Sequence, residues 1–185
     1  MIKVYDDFLP IEFSNELLNI HTSVNFPWFF QKSTYDPEEV LNTVILDINT
    51  IDSPQLTHIF YDINSENKIN SSYFNIINKI LNYLPNNNVI QLHRIKSNLN
   101  LNYRNYKINN YQPVHQDIPI SNYQSLLYYV NDSDGETYFF EDDKVIKKVK
   151  PKKNTAVLFD SNMKHCGSNP MKTDSRIIIN FIFKI

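Results

Sequence analysis

The chain closes with the stretch Arg176-Ile177-Ile178-Ile179-Asn180-Phe181-Ile182-Phe183, which decides the fold. Successive side chains of a β-strand point to opposite faces, so this stretch has two different sides. One side is purely apolar and comprises Ile177, Ile179, Phe181 and Phe183. The other side comprises Arg176, Ile178, Asn180 and Ile182. We therefore expect a strand that packs against helices on its apolar side and directs a guanidinium into the interior of a barrel.

The sequence before this strand has the same short, strand-like character. Runs with strand composition cover residues 89–95, 114–118, 125–130, 137–140, 145–149 and 155–159. Turn signals at 131–135 and 142–143 separate some of these runs. Short strands at nearly regular spacing indicate a mainly β (α+β) protein with a double-stranded β-helix, or jelly-roll, core.

Helical periodicity is confined to the first half of the chain. Apolar residues recur at helical spacing over 10–21 and 71–84, where Pro10 and either Ser71 or Ser72 would mark the helix starts. A turn is expected at 86–88. We expect one domain over 1–185, with a helix-and-strand part at 1–88 whose helices pack on one face of a jelly-roll core at 89–185.

Composition excludes several classes of protein. The 185 residues have a net charge of −2, which disfavours general nucleic-acid binding, and the single cysteine forbids an intrachain disulfide. Two glycines are too few for a dinucleotide or phosphate-binding loop. No apolar run could cross a membrane, and the N-terminal residues turn acidic where a signal peptide would be apolar. The expectation is a soluble, cytoplasmic protein.

Four side chains are candidates for a functional site, namely three possible metal ligands and one arginine. His115 and Asp117, two apart in an expected strand, can direct an imidazole and a carboxylate to one point, and His165 would complete a two-histidine, one-carboxylate set. That set binds Fe(II) and leaves positions open for other ligands. Arg176 has no acidic partner on its strand, so an anionic ligand is its expected partner. His21, His58 and His93 are interpreted as structural.

Three flanking stretches resemble a known family. Leu127-Tyr128-Tyr129-Val130-Asn131 resembles a Tyr-Tyr-Leu-Asn strand, Gly135-Glu136-Thr137-Tyr138-Phe139 a Gly-Gly-Glu-Thr-x-Phe segment, and residues 151–159 a Pro-x-x-Gly-x-Ala-x-Leu-Phe segment. With the residues above, the sequence from about 89 to 185 resembles the Fe(II)- and 2-oxoglutarate-dependent dioxygenases, in particular the prolyl 4-hydroxylase-like branch. It departs at Asp134 and Asn154, which replace glycines; both residue types tolerate positive φ, so the turns are expected to survive.

The resemblance implies a reaction and a set of ligands. His115, Asp117 and His165 would bind Fe(II), and Arg176 with Tyr128 would bind the distal carboxylate of 2-oxoglutarate. O2 would be the oxidant, and the family also admits ascorbate. The implied reaction is hydroxylation of an unactivated C–H bond with succinate and CO2 as co-products, on a peptidyl or free amino acid.

Two other functions remain open at this point. One is a nucleic-acid or nucleoside oxidase or demethylase of the same chemistry, which the charge disfavours. Such demethylases carry a second arginine a few residues after the position of Arg176, and residues 177–183 contain none. The other is a metal-binding jelly roll without catalysis.

Further residues are candidates for contact with the substrate. Arg94, Lys96 and Asn98 alternate on one face of a strand and face either substrate or solvent. Loops at 28–42 and 100–112, with the aromatic residues Tyr103, Tyr106 and Tyr111, would line the mouth of the barrel. Asn180 shares a face with Arg176 and would contact a ligand or a core partner. The basic run at 147–153 is expected to be a solvated turn or, alternatively, a phosphate site.

Overall fold

The computed structural model of the protein describes residues 1–34, 47–85, 89–103 and 105–185. Within these ranges the strands are β1 (Ile2–Tyr5), β2 (Phe29–Gln31), β3 (Gln55–Asp62), β4 (Gln91–Leu101), β5 (Tyr123–Tyr129), β6 (Thr137–Glu141), β7 (Lys144–Val149), β8 (Thr155–Asp160), β9 (His165–Gly167) and β10 (Ser175–Lys184). The helices are α1 (Ile11–Thr22), α2 (Phe74–Asn78) and a 3-10 helix (Lys79–Tyr83). Neither α-helix has the length and apolarity needed to cross a bilayer.

The described strands form two antiparallel sheets that make a jelly roll. A seven-stranded sheet has the order β1-β8-β5-β10-β4-β3-β2, and a three-stranded sheet has the order β7-β6-β9. β10 lies at the centre of the larger sheet and pairs with β4 on one side and β5 on the other. The N-terminal part of the chain contributes to this sheet, because β1 pairs with β8 and β3 pairs with β4.

The two faces of β10 belong to different parts of the core, as its alternation predicts. The apolar face packs with Leu17 of α1, Ile77 of α2 and Ile80 of the 3-10 helix. Ile178 on the other face packs between the sheets, and its cluster comprises Leu127, Tyr129, Phe139, Val149, Val157 and Phe159. A third, smaller cluster contains Cys166, which is buried. The space between the sheets therefore holds the polar residues of β10, Arg176 and Asn180.

Several expectations about individual elements need correction. The expected strand at 114–118 is absent from the described secondary structure, where His115 makes only an isolated bridge to His165. The expected helix at 71–84 is a five-residue α-helix followed by a 3-10 helix. Its run of Asn and β-branched Ile residues has low helix propensity, which explains the tighter second half. The turn expected at 86–88 lies outside the described residues.

The two glycine replacements keep their turns by different means. Asn154 has a φ of 66°, as expected, and its side-chain amide donates to the carbonyl of Leu9. Asp134 does not use this conformation, because its φ is not positive. Its carboxylate instead accepts backbone N–H groups of residues 171–173 in the loop that leads to β10. These hydrogen bonds hold the loop before β10, where Arg176 lies.

Candidate metal centre and co-substrate site

Two backbone segments bring His115 and His165 together. His165 is the first residue of β9, and the N–H of each histidine donates to the carbonyl of the other, over 2.9 and 2.8 Å. The ring centroids are consequently 4.6 Å apart. Asp117 follows two residues after His115, and its N–H donates to the carbonyl of Ser161. The bridge, rather than a regular strand, aligns the first two candidate ligands with the third.

The side chains of His115, Asp117 and His165 converge. One ligand atom from each lies within 4.8 Å of the others. The Nδ1 atoms are 3.1 Å from the carbonyl oxygen of Pro113 for His115 and 2.9 Å from that of Met163 for His165. A donor at Nδ1 leaves Nε2 with a free lone pair, which is the form of imidazole that binds metals. Burial, with the neighbouring His165, lowers the pKa of His115 to about 4, so His115 is neutral at pH 7.

Asp117 is held as an anion by several polar neighbours. Burial alone would raise its pKa, but His165, Arg94, His115 and a hydrogen bond from Ser125 together lower it to about 2. Ser125 Oγ donates to Oδ2 over 2.6 Å, and Asn180 Nδ2 donates to Oδ1 over 3.1 Å. Arg94 Nη2 lies 3.5 Å from Oδ1. The carboxylate therefore has a fixed orientation before any metal binds.

The chemistry of this donor set fits Fe(II). Two imidazoles and one carboxylate form the facial arrangement that non-haem Fe(II) oxygenases use, and it leaves coordination positions open for other ligands. The hydrogen bonds at both Nδ1 atoms and at the carboxylate are the supporting contacts that such ligands require. We refer to His115, Asp117 and His165 as the triad.

A buried guanidinium lies further along β10. Arg176 is 2% exposed, and its Nε donates to the carbonyl of Gly135 over 3.0 Å. Nη2 donates to Thr137 Oγ1 over 2.7 Å, and the same oxygen accepts the hydroxyl of Tyr129 over 2.8 Å. Among the described residues, no carboxylate lies within ion-pair distance of Arg176. Its charge therefore lacks an anionic partner within the described chain, which favours an anionic ligand.

Both glycines of the chain border Arg176. A Cβ at Gly167 would lie 3.0 Å from Nη1, and a Cβ at Gly135 would lie 3.0 Å from the Cδ of the same arginine. At Gly135 that atom would also lie 2.5 Å from the carbonyl oxygen of Ser168. The absence of a side chain at these two positions makes the space that the arginine occupies.

Within the described ranges, four buried polar side-chain atoms have no hydrogen-bond partner. They are Arg94 Nε, Asn98 Oδ1, Asn100 Nδ2 and Asn180 Oδ1. In the register of β4 and β10, Asn100 is opposite Arg176, Asn98 opposite Ile178, and Arg94 opposite Ile182. Native proteins pair nearly all such atoms, so a row of unpaired ones along one face of the β4–β10 pair indicates a polar ligand.

Comparison with known proteins agrees with this chemistry. Residues 101–184, which contain the triad and Arg176, match the model of the 2OG-Fe(II) oxygenase superfamily. The matched stretch is similar to this superfamily and holds all four candidate site residues. The match and the two-histidine, one-aspartate set indicate an oxidoreductase that uses Fe(II), 2-oxoglutarate and O2. No curated protein was found to match the sequence.

Solved structures of 2OG-Fe(II) oxygenases share the fold at low sequence identity. A prolyl-4-hydroxylase from Pseudomonas putida is 13% identical with a TM-score of 0.60, over 99% of this chain and 91% of that one. A Trichoplax adhaerens prolyl hydroxylase, solved with a hypoxia-inducible-factor peptide, is 15% identical with a TM-score of 0.58, over 99% and 83%. A Burkholderia pseudomallei 2OG-Fe(II) oxygenase is 10% identical with a TM-score of 0.66, over 98% and 84%.

The placement of Tyr128 in the oxygenase contradicts the expectation that it faces the co-substrate. Its side chain is in the cluster beside the helices, where its hydroxyl donates to Ser14 Oγ over 2.9 Å and lies 3.2 Å from Asn154 Oδ1. The next residue, Tyr129, faces the interior, with its ring centroid 5.9 Å from Arg176 Cζ. Both tyrosines are fully buried, so composition alone did not reveal which face each one occupies.

The loop tyrosines also differ from expectation. Tyr111 is 5% exposed and packs with Tyr138 and Phe140 in the third cluster, and its hydroxyl donates to Asp47. Tyr106 is 7% exposed, and its hydroxyl donates to the carbonyl of Ile51 over 3.3 Å. These rings serve packing rather than an open wall. The part of the 28–42 loop after residue 34 lies outside the described residues.

The remaining candidates line the site. Asn180 and Arg94 contact Asp117, and Lys96 is opposite Asn180 in the register of β4 and β10. Asn98 Oδ1 is one of the unpaired atoms. Sequence reasoning missed Ser125, Thr137 and Tyr129, although Ser125, Leu127 and Tyr129 alternate on the face that points between the sheets.

Proposed function

We propose that the triad binds the Fe(II) of this oxygenase and that Arg176 binds the distal carboxylate of 2-oxoglutarate. The convergence of the three side chains within 4.8 Å is the observation that carries the proposal. Bound Fe(II), together with 2-oxoglutarate and O2, supplies the oxidation of an unactivated C–H bond, with succinate and CO2 as co-products. The reaction we propose is hydroxylation.

The residues of the chain have distinct tasks in this proposal. The carbonyls of Pro113 and Met163 fix the histidine tautomers, and Ser125 with Asn180 orients the Asp117 carboxylate. Arg176 offers a charge-assisted, two-pronged hydrogen-bond partner to a carboxylate. Phe139 and Phe159 pack against the ring of His165 and exclude water from that side of the metal.

Tyr129, rather than Tyr128, completes the co-substrate end of the site in this proposal. Its hydroxyl and Arg176 Nη2 both donate to Thr137 Oγ1, so the tyrosine holds the threonine that holds the guanidinium. We therefore assign Tyr129 as a positioning residue for 2-oxoglutarate binding.

Anaerobic titration tests the proposed centre. Fe(II) and 2-oxoglutarate added together should give a metal-to-ligand charge-transfer absorption band in the wild-type protein. His115→Ala and Asp117→Ala should each abolish it, because each removes a ligand. His58→Gln is the control, since the nitrogens of His58 bind Pro27 and Ser71 away from the triad. An unchanged band in either ligand variant would show that the metal binds elsewhere.

For the substrate we propose an amino acid, free or within a peptide, as in prolyl 4-hydroxylases. The fold shared with two prolyl hydroxylases supports this choice. A screen for succinate release with peptidyl-proline, free amino acids and nucleosides tests it, and stimulation by one of the first two classes is expected. Stimulation by nucleosides alone would overturn it in favour of the nucleoside oxidase.

A further inference from the structure

Arg94 connects the triad with the surface. Its side chain is 31% exposed, whereas that of Asp117 is 2% exposed, and Nη2 lies 3.5 Å from Asp117 Oδ1. That contact uses one edge of a guanidinium that has five N–H donors. Nε of Arg94 is buried, and no described residue accepts a hydrogen bond from it. The arginine is therefore positioned beside the metal centre with unused donors.

The charges around the triad do not balance. Arg94 lies on the face of β4 that continues into the Arg176 and Asn180 face of the paired β10. Asp62 is opposite Arg94 on β3, but its carboxylate accepts the N–H of Asn64, and no ion pair with Arg94 forms within 4.0 Å.

Binding of the metal and 2-oxoglutarate leaves one positive charge uncompensated beside the triad. A divalent metal and the dianion of 2-oxoglutarate neutralise each other, and Asp117 neutralises one of the two arginines. The charge of the other arginine then remains in a partly buried space, where it is unfavourable without an anion. An anion on the substrate would supply the missing charge.

We propose that Arg94 anchors a carboxylate carried by the substrate. This inference rests on the proposed function and narrows its substrate class. A carboxylate bonded to the guanidinium lies next to Asp117, so the carbon that is oxidised is separated from the acid by few bonds. The substrate is therefore a small carboxylic acid, such as a free amino acid, rather than an internal residue of a peptide.

The test uses a probe that needs no knowledge of the substrate. The protein is saturated with 2-oxoglutarate and Mn(II), and the 19F relaxation of trifluoroacetate is compared with that of trifluoroethanol, a neutral molecule of similar size. Paramagnetic Mn(II) accelerates the relaxation of any fluorine bound close to it. Mn(II) occupancy is measured by water-proton relaxation for every variant and brought to saturation, because Arg94 contacts Asp117.

The expected result is a saturable relaxation enhancement for trifluoroacetate and none for trifluoroethanol. Arg94→Gln should weaken trifluoroacetate binding about tenfold or more, as loss of a charged hydrogen-bond partner does. Arg94→Lys should weaken it only about threefold, because the charge remains without the two-pronged geometry. Lys150→Gln, which removes an exposed cation on another surface, should bind as wild type does.

Three results would overturn the inference. An equal 19F relaxation enhancement for trifluoroacetate and trifluoroethanol in the wild-type protein shows that there is no anion site beside the metal. This result stands even if Arg94→Gln does not fold. If Arg94→Gln binds trifluoroacetate as tightly as the wild-type protein does, the carboxylate coordinates the metal directly and Arg94 does not bind it. Absence of Mn(II) binding refutes the proposed function and this inference together, whereas Mn(II) binding without an anion effect refutes this inference alone.

Discussion

Tyr128 and Tyr129 are neighbours in sequence with opposite surroundings. The Tyr128 hydroxyl contacts Ser14 and Asn154 beside the helices, and the Tyr129 hydroxyl contacts Thr137 beside Arg176. Their phenylalanine variants remove one oxygen atom each, from the two faces of the same strand. The pair therefore separates co-substrate binding from fold stability.

We expect Tyr129→Phe to raise the KM for 2-oxoglutarate about two- to tenfold, because the loss of one hydrogen bond costs about 0.5–1.5 kcal/mol. Tyr128→Phe should leave this KM unchanged and lower the free energy of unfolding by about 1 kcal/mol. Succinate release against 2-oxoglutarate concentration, with urea unfolding, measures both quantities. If instead Tyr128→Phe raised this KM and Tyr129→Phe did not, Tyr128 would belong to the co-substrate site.

The proposed metal ligands could be predicted from the sequence better than the faces of the strands. Two histidines and one aspartate at these spacings, followed by an arginine without an acidic partner, favour a metal centre beside an anion site, and the structure brings the triad together. The run Leu126-Leu127-Tyr128-Tyr129-Val130 is buried on both faces, so it has no polar alternation to show which tyrosine points inward. Only pairing with β8 and β10 fixes that register.

Helix α1 is joined to β4 by a buried histidine. His21 Nδ1 lies 2.7 Å from the carbonyl oxygen of Leu17, and Nε2 lies 2.8 Å from Ser97 Oγ. Burial lowers the pKa of His21 to about 4, against the hydrogen bond to Leu17 and with a further contribution from His58. His21 is therefore structural, as expected from the sequence, and it is buried in the neutral form.

This histidine makes stability depend on pH. The unfolded pKa is about 6.5, so the neutral ring stabilises the fold fully above that pH, and the contribution of about 3 kcal/mol is lost as the pH falls towards 4. Urea unfolding of metal-free protein between pH 7.5 and pH 4.5 measures this decline, to which His115 also contributes. The free energy of unfolding should change less steeply with pH in His21→Gln than in the wild-type protein, by up to about one bound proton. Parallel curves for the two proteins would contradict the conclusion that His21 is buried in the neutral form.

Strands with a clear apolar–polar alternation could be predicted from the sequence. Segments whose conformation depends on pairing with a distant segment could not. β10 alternates sharply and matches its expected faces. The segment around His115 has the composition of a strand, yet its hydrogen bonds go to His165 and Ser161 rather than to a ladder. That pairing depends on a segment about fifty residues away, which no local pattern encodes.

At the level of the complete fold, the triad joins distant parts of the chain. His165 belongs to the small sheet, whereas Asp117 is bound by Ser125 and Asn180 of the large sheet. A metal that binds all three ligands therefore links the two sheets. Because the unfolded chain does not present such a site, metal binding adds directly to stability.

We accordingly expect chelation to lower the melting temperature. At a free metal concentration of about 100 times Kd, binding contributes about 2.7 kcal/mol, which corresponds to about 5–10 °C for a protein of this size. Differential scanning calorimetry with Mn(II) and with EDTA measures the shift. Asp117→Ala should melt at the same temperature in both conditions, and a shift that persists in this variant would place the metal at other residues.

The two glycines beside Arg176 reverse the logic of an alanine scan. At most positions such a scan subtracts atoms and reports what they contributed. At Gly135 and Gly167 it inserts a methyl group against the carbonyl of Ser168 or against the guanidinium. A scan of this enzyme would thus score two residues that make no side-chain contact as among its most sensitive, because what they contribute is empty volume.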